Sequence, residues 1–298
     1  MRIGKQITDE HIVFVCDDKD IKSTKMFKKK FSLIYNFSKE LTPSIKQYEI
    51  NIKTQYARLM HNLINYNSHF IQEIYSIIPQ EEISNKRDKI LDLFKSKIRN
   101  NENIVSKSML RMLKNANFIK SEISIFNKLY SKNIQLNKHQ HKIHKVLLLV
   151  LNSFWMDFNN NGNFLNIEDC AQDLKFDYES VSSALVHLVE NTLKYIAPKT
   201  ELNVSFIHKN HYLILILDMV STIINDDEID KIFQEGYSGE IPRIHGLQGK
   251  GIGLYMVKRL LKLNGAKIEV DANCNNSEPF IYNEIPYQNN KFKIYFKK

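Results

Sequence analysis

Two long stretches of this chain carry apolar residues in steps of four and three. In the first, from about Pro43 to Ile78, Ile52, Tyr56, Leu59, Leu63, Tyr66, Phe70, Ile74 and Ile77 form one narrow seam. In the second, roughly Asn85 to Ser131, Val105, Met109, Met112, Ala116, Ile119, Ile123, Phe126 and Tyr130 do the same. Such spacing predicts helices that pack along a stripe, as in coiled coils. Pro79 and the turn IPQEEISNKRD separate them, so the pair reads as a helical hairpin. A hairpin alone buries little, which predicts that two copies pair as a four-helix bundle; the alternative is that both helices pack against the rest of the same chain.

Before the hairpin, HIVFVCDD (His11–Asp18) reads as a strand running into a loop. After it, the polar stretch Asn133–His144 marks a boundary, and the pattern changes to mixed helix and strand. Helices are predicted at Lys145–Asp157 and about Asp177–Ile196, and a further helix follows the glycines at Gly249–Gly253. Strands are predicted near Leu165–Ile167 and at Glu201–His208, Tyr212–Asp218, Ala266–Asp271 and Lys291–Phe296. The expectation is an α+β chain of three parts: an N-terminal segment (1–40), the hairpin (41–132) and a two-layer α/β sandwich (133–298).

Composition narrows the class. The longest apolar runs, Val146–Leu151 and Leu213–Leu217, are too short to span a bilayer. The first residues lack the apolar core of a secretory signal. Cys16, Cys170 and Cys274 are scattered without a CxxC pair, which fits a reducing cytoplasm and offers no zinc site. The formal charge of +9 comes from lysines spread along the chain. Only KMFKKKF (Lys25–Phe31) is dense, and it reads as a solvated helix face, so no nucleic-acid partner is expected.

Candidate chemistry concentrates in GKGIGLYMVKRLLKLNGAKIEV, Gly249 to Val270. A glycine-rich loop feeding a helix N-terminus is an anion site: the backbone can approach a phosphate, and the first-turn N–H groups have no intrahelical partner. Upstream, HLVENTLKYIAP (His187–Pro198) sets Glu190, Asn191, Lys194 and Tyr195 on adjoining helix faces. His61 sits on the first hairpin helix between Leu59 and Leu63, so at about 100° per residue it points away from the seam. Arg58, Asn65 and Ser68 fall on or near the same polar face.

Together these pieces resemble the ATP-binding domain of sensor histidine kinases, one of the Bergerat-type ATPases shared with gyrase, Hsp90 and MutL proteins. The similarity covers about Lys145–Lys298, and the hairpin matches the family's dimerisation and phospho-acceptor region in place and length. The resemblance implies ATP and Mg²⁺ as cofactors. It implies that Asn191 ligates the ion, that Lys194 meets phosphate and that Tyr195 lies against the nucleotide, with Glu190 beside them in the catalytic set. IFQEGYSG, with Phe233, resembles the F-box. Gly249, Gly251, Ile252, Gly253 and Leu254 form the loop that holds phosphates, and Glu240–Gln248 would be a mobile lid carrying Arg243 and His245. Asp218 would accept a hydrogen bond from the adenine amino group.

Two departures stand out. The family has glycines after the aspartate, in a pattern like DxGxG; here DMVST places Val220 and Thr222 there, and β-branched residues disfavour positive φ. The family also has an acid after the acceptor histidine, whereas here Asn62 follows His61 and can only orient the ring. Asn65 matches a position where a polar residue orients water for dephosphorylation. The reading is a cytoplasmic homodimeric histidine kinase that phosphorylates His61 and serves a response-regulator receiver domain. The alternative is a non-catalytic phosphotransfer or scaffold protein with a degenerate ATP-binding domain.

Overall fold

The computed structural model describes residues 2–7, 12–17, 23–85, 89–130, 134–274 and 278–298. His11 and Asp18 of the expected first strand, residues 86–88 of the turn, and Ser131 and Asn133 at the expected boundary lie outside the described residues, as does the side chain of Tyr130. The chain divides into two compact units, residues 1–60 and 61–298.

In the first unit β1 (Arg2–Ile7) pairs antiparallel with β2 (Ile12–Asp17). Helix α1 then runs from Thr24 to Ile77, with Pro43 inside it. The helix therefore begins well before the proline at which the seam pattern starts. Proline lacks an N–H and crowds the carbonyl four residues back, yet a shielded stripe carries the helix past it. Phe27 is buried, and Phe31, Tyr35, Ser38 and Thr42 are half-buried at helical spacing. The Thr42 hydroxyl donates to the Ser38 carbonyl at 2.8 Å, just before the proline.

The second unit begins with the end of α1. The expected single return helix is three: α2 (Gln80–Asn85), α3 (Ile90–Asn100) and α4 (Glu102–Tyr130). Asn101 breaks the run, with φ −136° and ψ 43°; asparagine competes for backbone hydrogen bonds and suits such a junction. Next come β3 (Lys138–Lys142), α5 (Ile143–Asn160), β4 (Phe164–Ile167), β5 (Asp173–Asp177) and α6 (Tyr178–Tyr195). The remainder is β6 (Glu201–Lys209), β7 (Tyr212–Thr222), α7 (Glu240–Ile244), α8 (Gly253–Leu263), β8 (Lys267–Asp271), β9 (Phe280–Tyr282) and β10 (Ile285–Lys297).

The main sheet runs β4-β6-β7-β10-β8, with β9 added along β10. Its only parallel pair among the described strands is β4 with β6. Alternation decides its two faces. Leu213, Leu215, Leu217, Phe292, Ile294, Ile268 and Val270 point into the core with residues of α5, α6 and α8, giving the two-layer sandwich. A second pair joins β3, which lies in the stretch expected as a polar boundary, to β5.

Helix α4 departs from its expected packing. Its buried face includes Ser108, Asn115, Phe118, Glu122, Ile125 and Leu129, with Val105 the only described side chain of the predicted seam that is buried, and Phe118, Ile125 and Leu129 join the same core as the sandwich. Met109 and Ile123 of the predicted seam are 63% and 44% exposed. The alternative of packing against the same chain thus holds for this helix. Phe118, Ile125 and Leu129, each next to a seam residue in the chain, form a second face that the four-three steps do not show.

Candidate nucleotide site and phospho-acceptor helix

Helix α6 starts where the Asp177 carboxylate accepts from the Ser180 N–H at 2.9 Å. Val181, Ala184, Leu185, Leu188 and Val189 bury its inner face. It stops as Ile196 turns extended and bridges Ser221, while Ala197 N–H donates to Val220 O at 2.8 Å. Its last turn leaves Glu190, Asn191, Lys194 and Tyr195 on the outer side.

Those residues face the glycine loop. The Asn191 Nδ2 donates to the His187 carbonyl at 2.8 Å, which turns its Oδ1 away from the helix. A Cβ on Gly253 would come within 2.5 Å of that same Nδ2, and one on Gly249 within 3.0 Å of Lys194 Nζ. Gly251 is glycine for another reason. At φ +66° it lies against the Gly236–Tyr237 backbone, where a Cβ would approach Gly236 C to 2.4 Å, and its carbonyl accepts from Gly236 N–H at 2.9 Å. Ile252 and Leu254 pack against the core and fix the start of α8.

Electrostatics fit an anion in this cleft. Lys194 Nζ lies 5.3 Å from the Tyr195 ring centre. Burial pushes its pKa down, and the Glu190 carboxylate opposes that trend. Burial also pushes the Tyr195 hydroxyl up. Glu190 itself contacts His187, Oε2 to Nδ1 3.5 Å. Mg²⁺ takes oxygen ligands and keeps several waters, binding through one or two protein groups plus phosphate oxygens. The freed Asn191 Oδ1 suits that role, and no cluster of three His, Cys, Asp or Glu suited to a metal exists among the described residues.

Phe233 is buried in the core, with Lys258 Nζ 5.4 Å from its ring centre, so it anchors the loop rather than lining an open cleft. The segment expected as a mobile lid contains α7. Pro242 in it is buried and accepts at its carbonyl from Leu247 N–H at 2.8 Å; Arg243 is exposed and His245 half-buried. A residue that went unnoticed in the sequence holds its start. Glu228, buried, accepts from Tyr237 OH at 2.6 Å and Glu240 N–H at 2.8 Å. Burial and this carboxylate push the Tyr237 hydroxyl up to about 12. The signal was legible: Asn225 and Glu228 form a capping box.

Asp218 needs correcting. It pairs in register with Lys291, and Lys291 with Asp271, on the face of the sheet opposite Leu217, Phe292 and Val270. There its Oδ2 meets Lys291 Nζ at 2.8 Å, and its Oδ1 accepts from Asn289 Nδ2 at 2.7 Å. It is thus on the other side of the sheet from α6 and the glycine loop. Alternation fixes that face: Leu213, Leu215 and Leu217 point into the core, so Asp218 points away, and Val220 and Thr222 then carry β7 on in unbroken register with β10.

On α1, His61 is exposed, and its Nε2 lies 3.0 Å from Asn65 Nδ2. Asn62 does not orient the ring as expected. It donates to Glu122 Oε1 of α4 at 3.0 Å. One turn on, Tyr66 stacks on Phe118 at 4.8 Å, and Phe118 meets Phe154 of α5 edge-on at 5.5 Å. Burial, then the charges of Glu190 and Glu122, raise the Tyr66 pKa. Helix α1 thereby passes close to α6 within one chain.

Residues 176–298 match the model for histidine kinase-, DNA gyrase B- and HSP90-like ATPases. The chain is 24% identical over 106 residues to the sensor protein SrrB of Staphylococcus aureus, covering 36% of this chain and 18% of that protein. It therefore spans about a fifth of the length of the curated relatives it matches. Among solved structures, a mycobacterial sensor histidine kinase, MprB, is 14% identical over 54% of this chain and 97% of that one, with TM-score 0.45. The Acinetobacter baumannii histidine kinase AdeS is 13% identical over 80% and 97%, with TM-score 0.41. No helix among the described residues is long and apolar enough to cross a membrane. Residues 176–298 thus carry a domain of the histidine kinase-, DNA gyrase B- and HSP90-like ATPase type, and the curated relatives that the chain resembles are sensor proteins.

Proposed function

We propose that this chain is a protein-histidine kinase that phosphorylates His61 from Mg-ATP and passes the phosphoryl group to an aspartate of a response-regulator receiver. The observation that carries the reading is the seating of Gly249 and Gly253 against Lys194 and Asn191. In this reading the loop amides and Lys194 hold the phosphates, and Asn191 Oδ1 holds the ion, which offsets charge on the triphosphate. The lone pair of His61 Nε2 attacks the γ-phosphorus, the bond to the β,γ-bridging oxygen breaks and ADP leaves. The ring proton on Nδ1 passes to water, which reaches this exposed ring without a base at Asn62. Catalysis is positioning and charge neutralisation.

Incubation of the natural chain and His61→Ala with Mg²⁺ and γ-labelled ATP tests this. Acid-labile, base-stable label on the natural chain and its loss from the variant are expected; undiminished label on the variant moves the acceptor elsewhere.

The second reading, a scaffold or phosphotransfer protein that holds no nucleotide, is favoured by one observation, the position of Asp218 across the sheet. Calorimetry with Mg²⁺ and a non-hydrolysable ATP analogue separates the two, since absence of heat at millimolar ligand selects the scaffold. Pairing of two copies along the hairpin is part of the main reading. Seam residues Phe70, Ala116, Ile119 and Ile123 line an open groove between α1 and α4 that a second copy can fill.

A further inference from the structure

The inner face of α6 holds a polar group without a use. Thr192 is 1% exposed, and its Oγ1 has no hydrogen-bond partner. A dry, unpaired hydroxyl is costly and calls for an explanation, a missing ligand among them. Thr192 directly follows Asn191. It lies one turn before Ile196, whose N–H donates to the Thr192 carbonyl at 2.8 Å and whose backbone bridges Ser221. The end of α6 that carries it is therefore tied to the end of β7. The side chains that β7 turns toward the helices there are Met219, 3% exposed, and Ser221, whose Oγ already accepts from Asn290 Nδ2 at 2.8 Å. The carboxylate of Asp218 is on the opposite face. Behind Asn191, the buried face where α6 meets β7 thus presents a hydroxyl and a thioether, with the Asp218 carboxylate on the other face.

We propose that the site takes purine nucleoside triphosphates with little discrimination between adenine and guanine, and that the Thr192 hydroxyl reads the base edge. This rests on the nucleotide-binding reading above and names its specificity. A carboxylate only accepts: it holds the adenine amino group and repels the guanine carbonyl at the same position. A hydroxyl turns to suit either, accepting from the amino group or donating to the carbonyl. The Met219 thioether is polarisable and fits a flat base of either kind. Both groups are buried, so in this proposal the base reaches them when the loop at Gly249–Gly253 moves off Lys194 and Asn191.

The test is calorimetry on the full chain with Mg²⁺ and non-hydrolysable analogues of ATP and GTP. The two dissociation constants are expected within about threefold of each other, because each base gains one neutral hydrogen bond. Thr192→Val, which keeps the shape and removes the hydroxyl, is expected to weaken both by about fivefold. Met219→Asp, restoring a carboxylate on the helix-facing side, is expected to favour ATP by about tenfold or more. A natural chain that prefers ATP by more than about tenfold overturns the inference and leaves nucleotide binding standing. Unchanged affinities in Thr192→Val remove the role of that hydroxyl. Binding of neither analogue at millimolar concentration overturns both the inference and the reading beneath it. If Met219→Asp does not fold, the natural ratio and Thr192→Val decide alone.

Discussion

The side-chain amide of Asn65 faces the imidazole of His61. Its Nδ2 donates to His61 Nε2 at 3.0 Å, so the neutral ring carries its proton on Nδ1 and keeps a lone pair on Nε2. In ¹⁵N spectra of the imidazole at a pH where the ring is neutral, the Nδ1–H tautomer is expected to dominate, and Asn65→Ala is expected to move the population toward Nε2–H. An unchanged tautomer ratio would remove Asn65 from the acceptor's machinery. Gly251 makes a sharper prediction. A Cβ there meets Gly236 at 2.4 Å in a backbone of positive φ, so Gly251→Ala should cost about 2–3 kcal/mol. It should also speed hydrogen exchange at the Gly236 amide, whose acceptor it displaces. A melting temperature equal to that of the natural chain would show that the loop yields freely. The need for glycine at this point was visible in the sequence, but the partner was not. A glycine run announces close approach without saying whether phosphate or a neighbouring loop approaches.

Elements were legible where one pattern governed them and illegible where two competed. Helices α6 and α8 follow from periodic apolar positions, the N-terminal aspartate of one and the glycines of the other. Strand β3, KHQHK, has no apolar alternation, so nothing in it announces a strand. An acidic residue closing an apolar run suggests that β7 ends at Asp218, yet Val220–Thr222 continue it, and alternation with the inward leucines puts the aspartate on the outer face. Helix α4 is the clearest conflict, with one apolar stripe legible and a second, partly polar face buried. That face carries Lys128, whose Nζ donates to Asp177 Oδ2 at 3.0 Å and to the Gln135 carbonyl at 2.7 Å. Asp177 caps α6, and its N–H donates to Asn264 Oδ1 at the end of α8, 2.8 Å away; Asn264 Nδ2 in turn donates to Ser180 Oγ at 2.8 Å. Three helices thus meet in one buried polar knot.

Removing Lys128 leaves a buried carboxylate with its other donors only, and Lys128→Met is expected to cost about 2–4 kcal/mol. Hydrogen bonds from Ser180, Asn137 and Lys128 outweigh burial and hold the Asp177 pKa below its ordinary 3.8. A depressed carboxylate pKa adds stability above the unfolded value, and that stability is lost as pH falls through the folded value. Chemical denaturation between pH 6 and pH 3 should therefore show a smaller acid loss in Lys128→Met than in the natural chain. Parallel curves would assign the acid loss to other groups.

At the scale of the whole molecule, the two faces of α4 divide the work of holding the chain together. One face is inside the sandwich core and needs no partner. The other keeps Met109, Ala116 and Ile123, seven residues apart, exposed in a single chain, beside the groove lined by Phe70 and Ile119. A stripe at heptad spacing is what a facing helix requires, and burying one Ile or Met side chain contributes about 1.5–3 kcal/mol. Because these side chains lie outside the core, charging them separates association from folding. Met109→Lys combined with Ile123→Lys is expected to sediment as a monomer at concentrations where the natural chain is a dimer. Its melting transition should be unchanged when both are compared at concentrations low enough to dissociate the dimer. A natural chain that stays monomeric at every accessible concentration would sink the pairing. A variant that stays dimeric would place the contact on another face, and the groove at Phe70 would lose its assigned occupant.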